Sequence, residues 1–492
     1  MGGGSGGSPP GASTRLNGMH LVNNQDRTWA SPAAAGPVSA RVELPASKSI
    51  TNRALVLAAL SDRPSRIANP LRARDTELAA EALRALGGSI TESRTEWVVT
   101  PGQPAPGSSV NVNVGNAGTV MRFVPGLAAL TSAVVVFDGD ARARQRPVGP
   151  ILAALRQLGA QIEDGGRAAV PFTVHGRGAV HGGTVVLDAS GSSQLVSGLL
   201  VTAPRFDEGV EVRHEGPPVP SAPHIAMTVR MLRAAGASVE ERASGASGPG
   251  RADAWRVRPG RLDLGSVTVE PDLSNAGPFL AAALVTGGTV TIPGWPRDSL
   301  QAAGPILEVL GRMGAWYSVG PDGLTVRGGG RVSGITADLR DVAELAPVLT
   351  AAAAVADSPS VFTGLAHTRT HETDRLAALA KEINALGGDI TELPDGLQIR
   401  PRPLRAEAAG IPFGTYDDHR MVMAAAVLGL AVPGLRVANA GTVAKTFPDF
   451  TDVWEVLTRG DSAGADPGGR PPGTPRDRGE TIPPNPPGRP PL

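Results

Sequence analysis

The sequence predicts a mixed α/β (α+β) fold of six similar units, and three observations predict it. Glycine closes a helix-like run at Gly87, Gly159, Gly236, Gly314, Gly387 and Gly460, at spacings of 72, 77, 78, 73 and 73 residues. Strand-like residues follow the first five of these glycines, as in Ser89-Ile90-Thr91 and Gln161-Ile162-Glu163. A second, more apolar run accompanies the units, at 50–60, 119–130, 194–202, 276–285, 344–356 and 420–430. Glycine suits the left-handed position that ends a helix, so the recurring glycines mark helix ends. A repeat of about 75 residues is too long for a short-period solenoid and leaves room for two helices and several strands in each unit. Runs apolar on every face predict helices buried on all sides.

Composition narrows the function. The chain of 492 residues carries 46 basic and 46 acidic side chains, 3% aromatics and no cysteine. That length allows two or three domains. Balanced charge argues against nucleic-acid and membrane-surface partners. Without cysteine there are no disulfides, cysteine metal sites or thiol nucleophiles. No segment has the layout of a secretory signal or the length of a membrane span, so the cytoplasm is the expected location. Residues 1–35, rich in Gly, Ser and Pro, and 460–492, rich in Pro, show no period and are expected to be disordered tails.

Chemistry-bearing residues gather where the apolar helices begin. Pro45-Ala46-Ser47-Lys48-Ser49-Ile50-Thr51-Asn52-Arg53 brings a lysine, an arginine and three hydroxyls to the first start. Free backbone N–H groups and the helix dipole favour an anion there. Ser49 and Arg53 are four apart and share a face. Lysine occurs only at Lys48, Lys381 and Lys445, so its use here suggests a compact charge for a phosphate.

The next starts follow the same pattern. Asn116-Ala117-Gly118-Thr119-Val120-Met121-Arg122 combines a glycine that lets a ligand touch the backbone with a cation. Arg142, Arg144 and Arg146 alternate in a loop and read as a solvated charge run. Ser192-Ser193-Gln194 sets two hydroxyls at a helix start where a cap needs one. His371-Glu372-Thr373-Asp374-Arg375 and Asp417-Asp418-His419-Arg420 open two further helices, and Lys445 lies beyond them. His367 and His371 are spaced like two zinc ligands, but no third lies at a telling distance, so no metal is expected. No phosphate-binding Gly-x-x-x-x-Gly-Lys loop occurs either. Together these starts describe a cleft for polyanionic small molecules.

In order and interval, Pro45 to Ser49, Asn116 to Thr119, Arg146-Pro147, Ser192 to Gln194, Glu372 to Leu376, Asp418 to Met421 and Lys445 to Asp449 resemble the 5-enolpyruvylshikimate-3-phosphate synthase family. The resemblance covers about residues 38–458. It implies the two-domain enolpyruvyl transferase fold, with six βαβαββ units, three per domain. One domain would comprise 36–48 plus 271–459 and the other 49–270. It also implies transfer of the enolpyruvyl group of phosphoenolpyruvate to the 5-hydroxyl of shikimate 3-phosphate, with release of phosphate, on the way to chorismate and the aromatic amino acids. No cofactor is implied, and a monomer is expected.

Carried over motif by motif, Lys48, Ser49, Arg53, Ser192, Ser193, Gln194 and Ser221 would hold shikimate 3-phosphate, together with Glu344 and His371. Lys48, Gly118, Arg122, Arg146, Gln194, Arg375, Arg420 and Lys445 would hold phosphoenolpyruvate. Proton transfer to the methylene carbon and from the attacking hydroxyl needs an acid and a base. Glu372 would be the acid and Glu344 the base, with Asp341 one turn earlier as the second candidate. Glu344 stands where the family more commonly has Asp, and three further departures stand out: His371 where many members have Lys, His224 where many have Tyr, and Phe123 where many have Pro. Glyphosate, the family's inhibitor, would compete for the phosphoenolpyruvate site beside Gly118. A related transferase acting on a UDP-linked amino sugar is the nearest alternative, although its usual cysteine is missing. An inactive anion-binding relative is the other.

Overall fold

The computed structural model describes residues 28–243 and 251–459. Five four-stranded sheets share one plan: two parallel strands, then an antiparallel strand, then its hairpin partner. In one, Ser109–Asn113 runs parallel to Val134–Asp138, which pairs antiparallel with Phe172–His175 and so with Gln161–Glu163. The buried helix Gly118–Ala129 makes the crossover between the parallel strands, as such a connection requires. The same arrangement recurs around Gly183–Leu187 and Val210–His214, and around Thr336–Asp338 and Ser360–Thr363.

The remaining two four-stranded sheets exchange their first strands. Ser39–Arg41 runs parallel to Thr289–Ile292, and Ser266–Thr268 runs parallel to Ser65–Ala68. The chain therefore passes twice between two separate apolar cores, one formed from residues 46–269 and the other from 38–42 plus 273–457. The two passages run side by side. Ser47 N–H donates to the Glu270 carbonyl at 2.8 Å, and Asp272 N–H to that of Pro45 at 2.8 Å.

The sixth sheet corrects the expected N-terminal tail. Arg436–Ala438 has no hairpin after it, and Thr28–Ala30 supplies the antiparallel partner. Ser31 N–H then donates to the Leu435 carbonyl, and Trp29 Nε1 donates to Glu455 at 3.3 Å. An edge with open N–H and C=O groups accepts a strand from any part of the chain that reaches it. Residues 28–35 thus belong to the fold. The remainder of that tail, the segment 460–492 and Gly460 lie outside the described residues.

Glycine does close the five other helices as expected: Gly87, Gly159, Gly236, Gly314 and Gly387 all have positive φ. One helix boundary differs. The apolar run expected to be helical from 344 begins as a 3-10 turn, Arg340–Leu345, and the α-helix proper is Ala346–Ala354. Pro347 has no N–H to give and suits the first turn of a helix, so the start is set there. Glu344 is left on the turn, facing outward from the helix end.

Candidate active site

All six buried helices begin at one cleft between the two cores. Lys48 and Ser49, Gly118 and Thr119, Ser192 to Gln194, Asp272 and Ser274, Glu344, and His419 and Arg420 all line it. Four starts are capped by a side chain: Ser47, Ser192, Asp272 and Asp418 each accept a first-turn N–H. The start at Gly118 has Ala117 before it and no side-chain cap. Its first-turn N–H groups are left for an anion.

One wall holds three buried guanidiniums whose hydrogen-bond partners are all uncharged. Arg53 donates to Thr228 Oγ1 at 2.7 Å and to the carbonyls of Ser49 and His224, both at 3.1 Å. Arg122 donates to Gln194 Oε1 at 3.2 Å and to the Pro147 carbonyl at 3.1 Å. Arg146 donates to the Asn116 carbonyl at 2.7 Å and to its Oδ1 at 2.9 Å. Each is at most 5% exposed, and the Nε of both Arg122 and Arg146 has no partner. Burial lowers the pKa of Arg53 and of Arg122 to about 9, with Arg146 adding to the effect on Arg122. None of the three bonds to a carboxylate, and Glu372 acts on Arg122 and Arg146 only through space. Buried charge so weakly compensated is costly, so this wall suits anions. Phe123 lies beneath Arg53, with the guanidinium carbon 5.1 Å from the ring centroid. That aromatic departure thus supports a cation in place.

Ser49, Ser193, Gln194 and Ser221 stand around the same wall, with Lys48 at the rim. Ser221 has φ of 53°, an unusual conformation for a non-glycine, and its N–H donates to the Arg340 carbonyl across the cleft at 3.0 Å. Lys48 Nζ lies 3.3 Å from Asp75. Burial pulls its pKa down, but Asp75, Glu372 and Glu344 outweigh burial and leave it above the ordinary lysine value.

The opposite wall is a tight ionic cluster. Arg375, 1% exposed, reaches Glu344 at 3.1 Å, Glu372 at 3.3 Å and Asp418 at 2.8 Å. Arg420 Nε lies 3.4 Å from Glu344, while its terminal nitrogens donate to the carbonyl and hydroxyl of Ser274. Burial raises the pKa of both glutamates. Arg375 and Arg420 more than offset that for Glu344, and Arg375 and Arg146 do so for Glu372, so both lie well below the usual range. Both are carboxylates in the unliganded site. His371 is pushed down to about 3 by burial and by Arg375, and is neutral.

The structure brings together most of the residues singled out by sequence. Arg122 and Arg375 stand behind the cleft surface, and each supports residues that line it. Asp341, the second candidate base, does not line the main cleft but a side pocket that shares Ser49, Ser221, His224 and Glu344 with it, and there Arg251 grips both of its oxygens, at 2.5 and 3.3 Å. Lys445 does not line the cleft. Its ammonium is exposed and donates to the Asp417 carbonyl at 2.6 Å. Arg142, expected in a solvated run, instead crosses the cleft to the carbonyls of His371 and Glu372. Sequence reasoning missed Asp75, Asp272, Ser274 and His367 as cleft residues. For Asp272 and Ser274 a signal existed, since they open the fourth apolar helix as Ser47 opens the first.

Comparison with known proteins matches this architecture. The family model for EPSP synthase (3-phosphoshikimate 1-carboxyvinyltransferase) matches residues 32–454. The chain is 49% identical over 450 residues to the 3-phosphoshikimate 1-carboxyvinyltransferase of Kocuria rhizophila, covering 89% of this chain and 98% of that protein. Two solved structures of EPSP synthase from Acinetobacter baumannii superpose with a TM-score of 0.70 at 25% identity, covering 87% and 88% of this chain and 98% of each. Matched over most of its length in sequence and in fold, the chain belongs to the EPSP synthase family of 3-phosphoshikimate 1-carboxyvinyltransferases.

Proposed function

We propose that the cleft between the two cores carries out the family's transfer, with one wall for each ionic need of the reaction. The three buried guanidiniums with uncharged partners are the observation that carries this reading. Shikimate 3-phosphate is assigned to Ser49, Arg53, Ser192, Ser193, Gln194 and Ser221, with Lys48 at its edge. Phosphoenolpyruvate is assigned to Lys48, Gly118, Arg122, Arg146, Gln194, Arg375 and Arg420. Lys445 joins that set only by leaving the Asp417 carbonyl, a swing of one flexible side chain.

Glu344 is the base that takes the proton of the 5-hydroxyl, and its position on the cleft favours it over Asp341. The hydroxyl oxygen then bonds to the central carbon of phosphoenolpyruvate while Glu372 delivers a proton to the methylene carbon. Glu372 then takes back a methyl proton as the carbon–oxygen bond to phosphate breaks, and the proton held by Glu344 leaves with the phosphate, which restores the double bond and both carboxyl groups. Glu372 must first gain a proton. Bound phosphates and carboxylates offset Arg146 and Lys48, which raises its proton affinity when both substrates are in place. His371 donates a neutral hydrogen bond beside Glu344. Fixed charges in a closed site reorganise little as the reaction proceeds.

The two cores, one of 36–48 plus 271–459 extended by the strand at 28–30 and the other of 49–270, act as two domains that close on the substrates. The protein is a monomer of the cytoplasm. Among the described residues, no helix is long and apolar enough to cross a membrane. Phosphate release that requires both substrates together tests the activity. Release with a UDP-linked amino sugar and none with shikimate 3-phosphate would overturn the assignment. Sedimentation of the purified chain tests the monomer.

A further inference from the structure

We infer that Arg142 is a positioning residue that couples closing of the cleft to the placement of Glu372. The inference rests on the proposed role of Glu372. Arg142 precedes the short turn Ala143–Gln145, which is anchored in the first core by the fully buried Ala143. From there its Nε donates to the Glu372 carbonyl at 3.0 Å and its Nη2 to the His371 carbonyl at 3.3 Å. Its Nη1 donates to Gln145 Oε1 of its own turn at 3.1 Å, which holds the guanidinium plane.

The two carbonyls belong to the segment between the 3-10 turn Ala366–Thr370 and the helix Arg375–Ala385, packed in the second core. They are neutral acceptors, so the contact contributes geometry more than charge. It forms only when the two cores are together. The other end of the same turn is Arg146, whose charge acts on the Glu372 carboxylate. One rigid turn therefore fixes the backbone of Glu372 and presents it with a cation. Among the described residues, other hydrogen bonds between the two domains run from Ser221 to Arg340, from Arg251 to Asp341, and from Arg230 to Asp298 and the Ser299 carbonyl. Beside the chain passages, others run from Ser299, Leu300 and Gln301 to Glu270 and from Lys48 N–H to Asp272. None of these touches the segment holding Glu372.

Four variants separate positioning from simple closure. With both substrates, Arg142→Ala is expected to lower kcat about 10- to 100-fold, the scale of a small misplacement of a reacting group. Its dissociation constant for shikimate 3-phosphate alone should stay within about threefold of wild type, because uniform binding is untouched. Arg142→Lys should recover part of kcat. Arg144→Ala, which loses only an exposed pair with Asp138, should match wild type. Arg251→Ala should raise KM while leaving kcat within about threefold.

An Arg142→Ala enzyme with kcat within about twofold of wild type would overturn the inference. So would an equal fall in shikimate 3-phosphate affinity, or an Arg251→Ala enzyme with the same loss of kcat. Thermal unfolding checks each variant, and if Arg142→Ala does not fold, Arg142→Gln and Arg142→Lys carry the comparison. Inactive wild-type protein would overturn the functional reading itself, whereas active wild type with a normal Arg142→Ala variant overturns this inference alone.

Discussion

The guanidinium of Arg375 and the imidazole of His371 stand in a one-way relationship: Nη1 of Arg375 lies 3.2 Å from Nδ1 of His371. Arginine has only donors, so Nδ1 must accept. The ring proton is then on Nε2, and the imidazole is a neutral donor in the cleft. The same Arg375 nitrogen reaches Glu344 at 3.1 Å, which ties the neutral donor and the carboxylate to one support.

Nitrogen NMR of the histidine rings is expected to show the Nε2–H tautomer for His371, unchanged from pH 5.5 to 8. A titration within that range would contradict the geometry. His371→Gln keeps a donor and should retain more activity than His371→Ala. The latter is expected to lose about tenfold in kcat, the worth of one hydrogen bond involving a charged partner.

Glu344 and Asp341 are separated by their partners, since Glu344 faces the cleft and Asp341 is clasped by Arg251. Glu344→Gln should lower kcat by about 10²-fold or more, the usual worth of a general base, while leaving shikimate 3-phosphate binding nearly intact by calorimetry. Asp341→Asn should leave kcat within about threefold. The reverse ranking would move the base to Asp341.

Gly118→Ala should spare the fold and damage the site. A Cβ there would stand 2.9 Å from Arg146 Nη2, 3.0 Å from Arg122 Nη1 and 3.0 Å from Gln194 Oε1. All three are ends of side chains and give way, so the melting temperature should hardly move. Two anion-binding groups are displaced, however, and KM for phosphoenolpyruvate is expected to rise about tenfold, with the loss of uniform binding. An unchanged KM would mean that this helix start does not meet the substrate.

Four cleft histidines make the unliganded protein acid-sensitive. Burial, first of all, holds His224 and His367 at about 4, His371 at about 3, and His419 well below its ordinary value. Each is neutral in the fold and takes up a proton on unfolding below its ordinary 6.5. The unfolded chain therefore binds more protons in this window, and stability rises with pH across it. Stability is fully present above about 6.5 and is lost as pH falls toward 4 and 3. Melting temperatures from pH 8 to 4.5 should show this fall, and His367→Asn should flatten it by about one proton. A flat profile would place these rings in contact with water.

Much of the fold was legible because it is periodic. The glycines at helix ends and the all-apolar helices are local signals, and their spacing showed six units. The strand Thr28–Ala30 was not legible, since its partner Arg436–Ala438 is more than 400 residues away and its short, polar surroundings carry no period. At the site, Lys48, Gly118 and Ser192 to Gln194 were readable as anion-favouring helix starts. Arg142 was not. Its alternation with Arg144 and Arg146 looks like a solvated run, and only the 3-10 turn sends the first across the cleft, the second outward to Asp138 and the third inward to Asn116.

The sequence by itself determined the repeat, the six buried helices and the kind of charge at their starts, because capping residues, glycine ends and apolar periods act within a few residues. Tertiary structure alone decided that six starts spread along the chain from Lys48 to His419 face one cleft, that Glu344 lines it while Arg251 holds Asp341 in a side pocket, and that Lys445 rests outside it. Those outcomes depend on which partners come within about 3 to 4 Å, the range over which hydrogen bonds and ion pairs form, and that is settled only when the two cores have packed and come together.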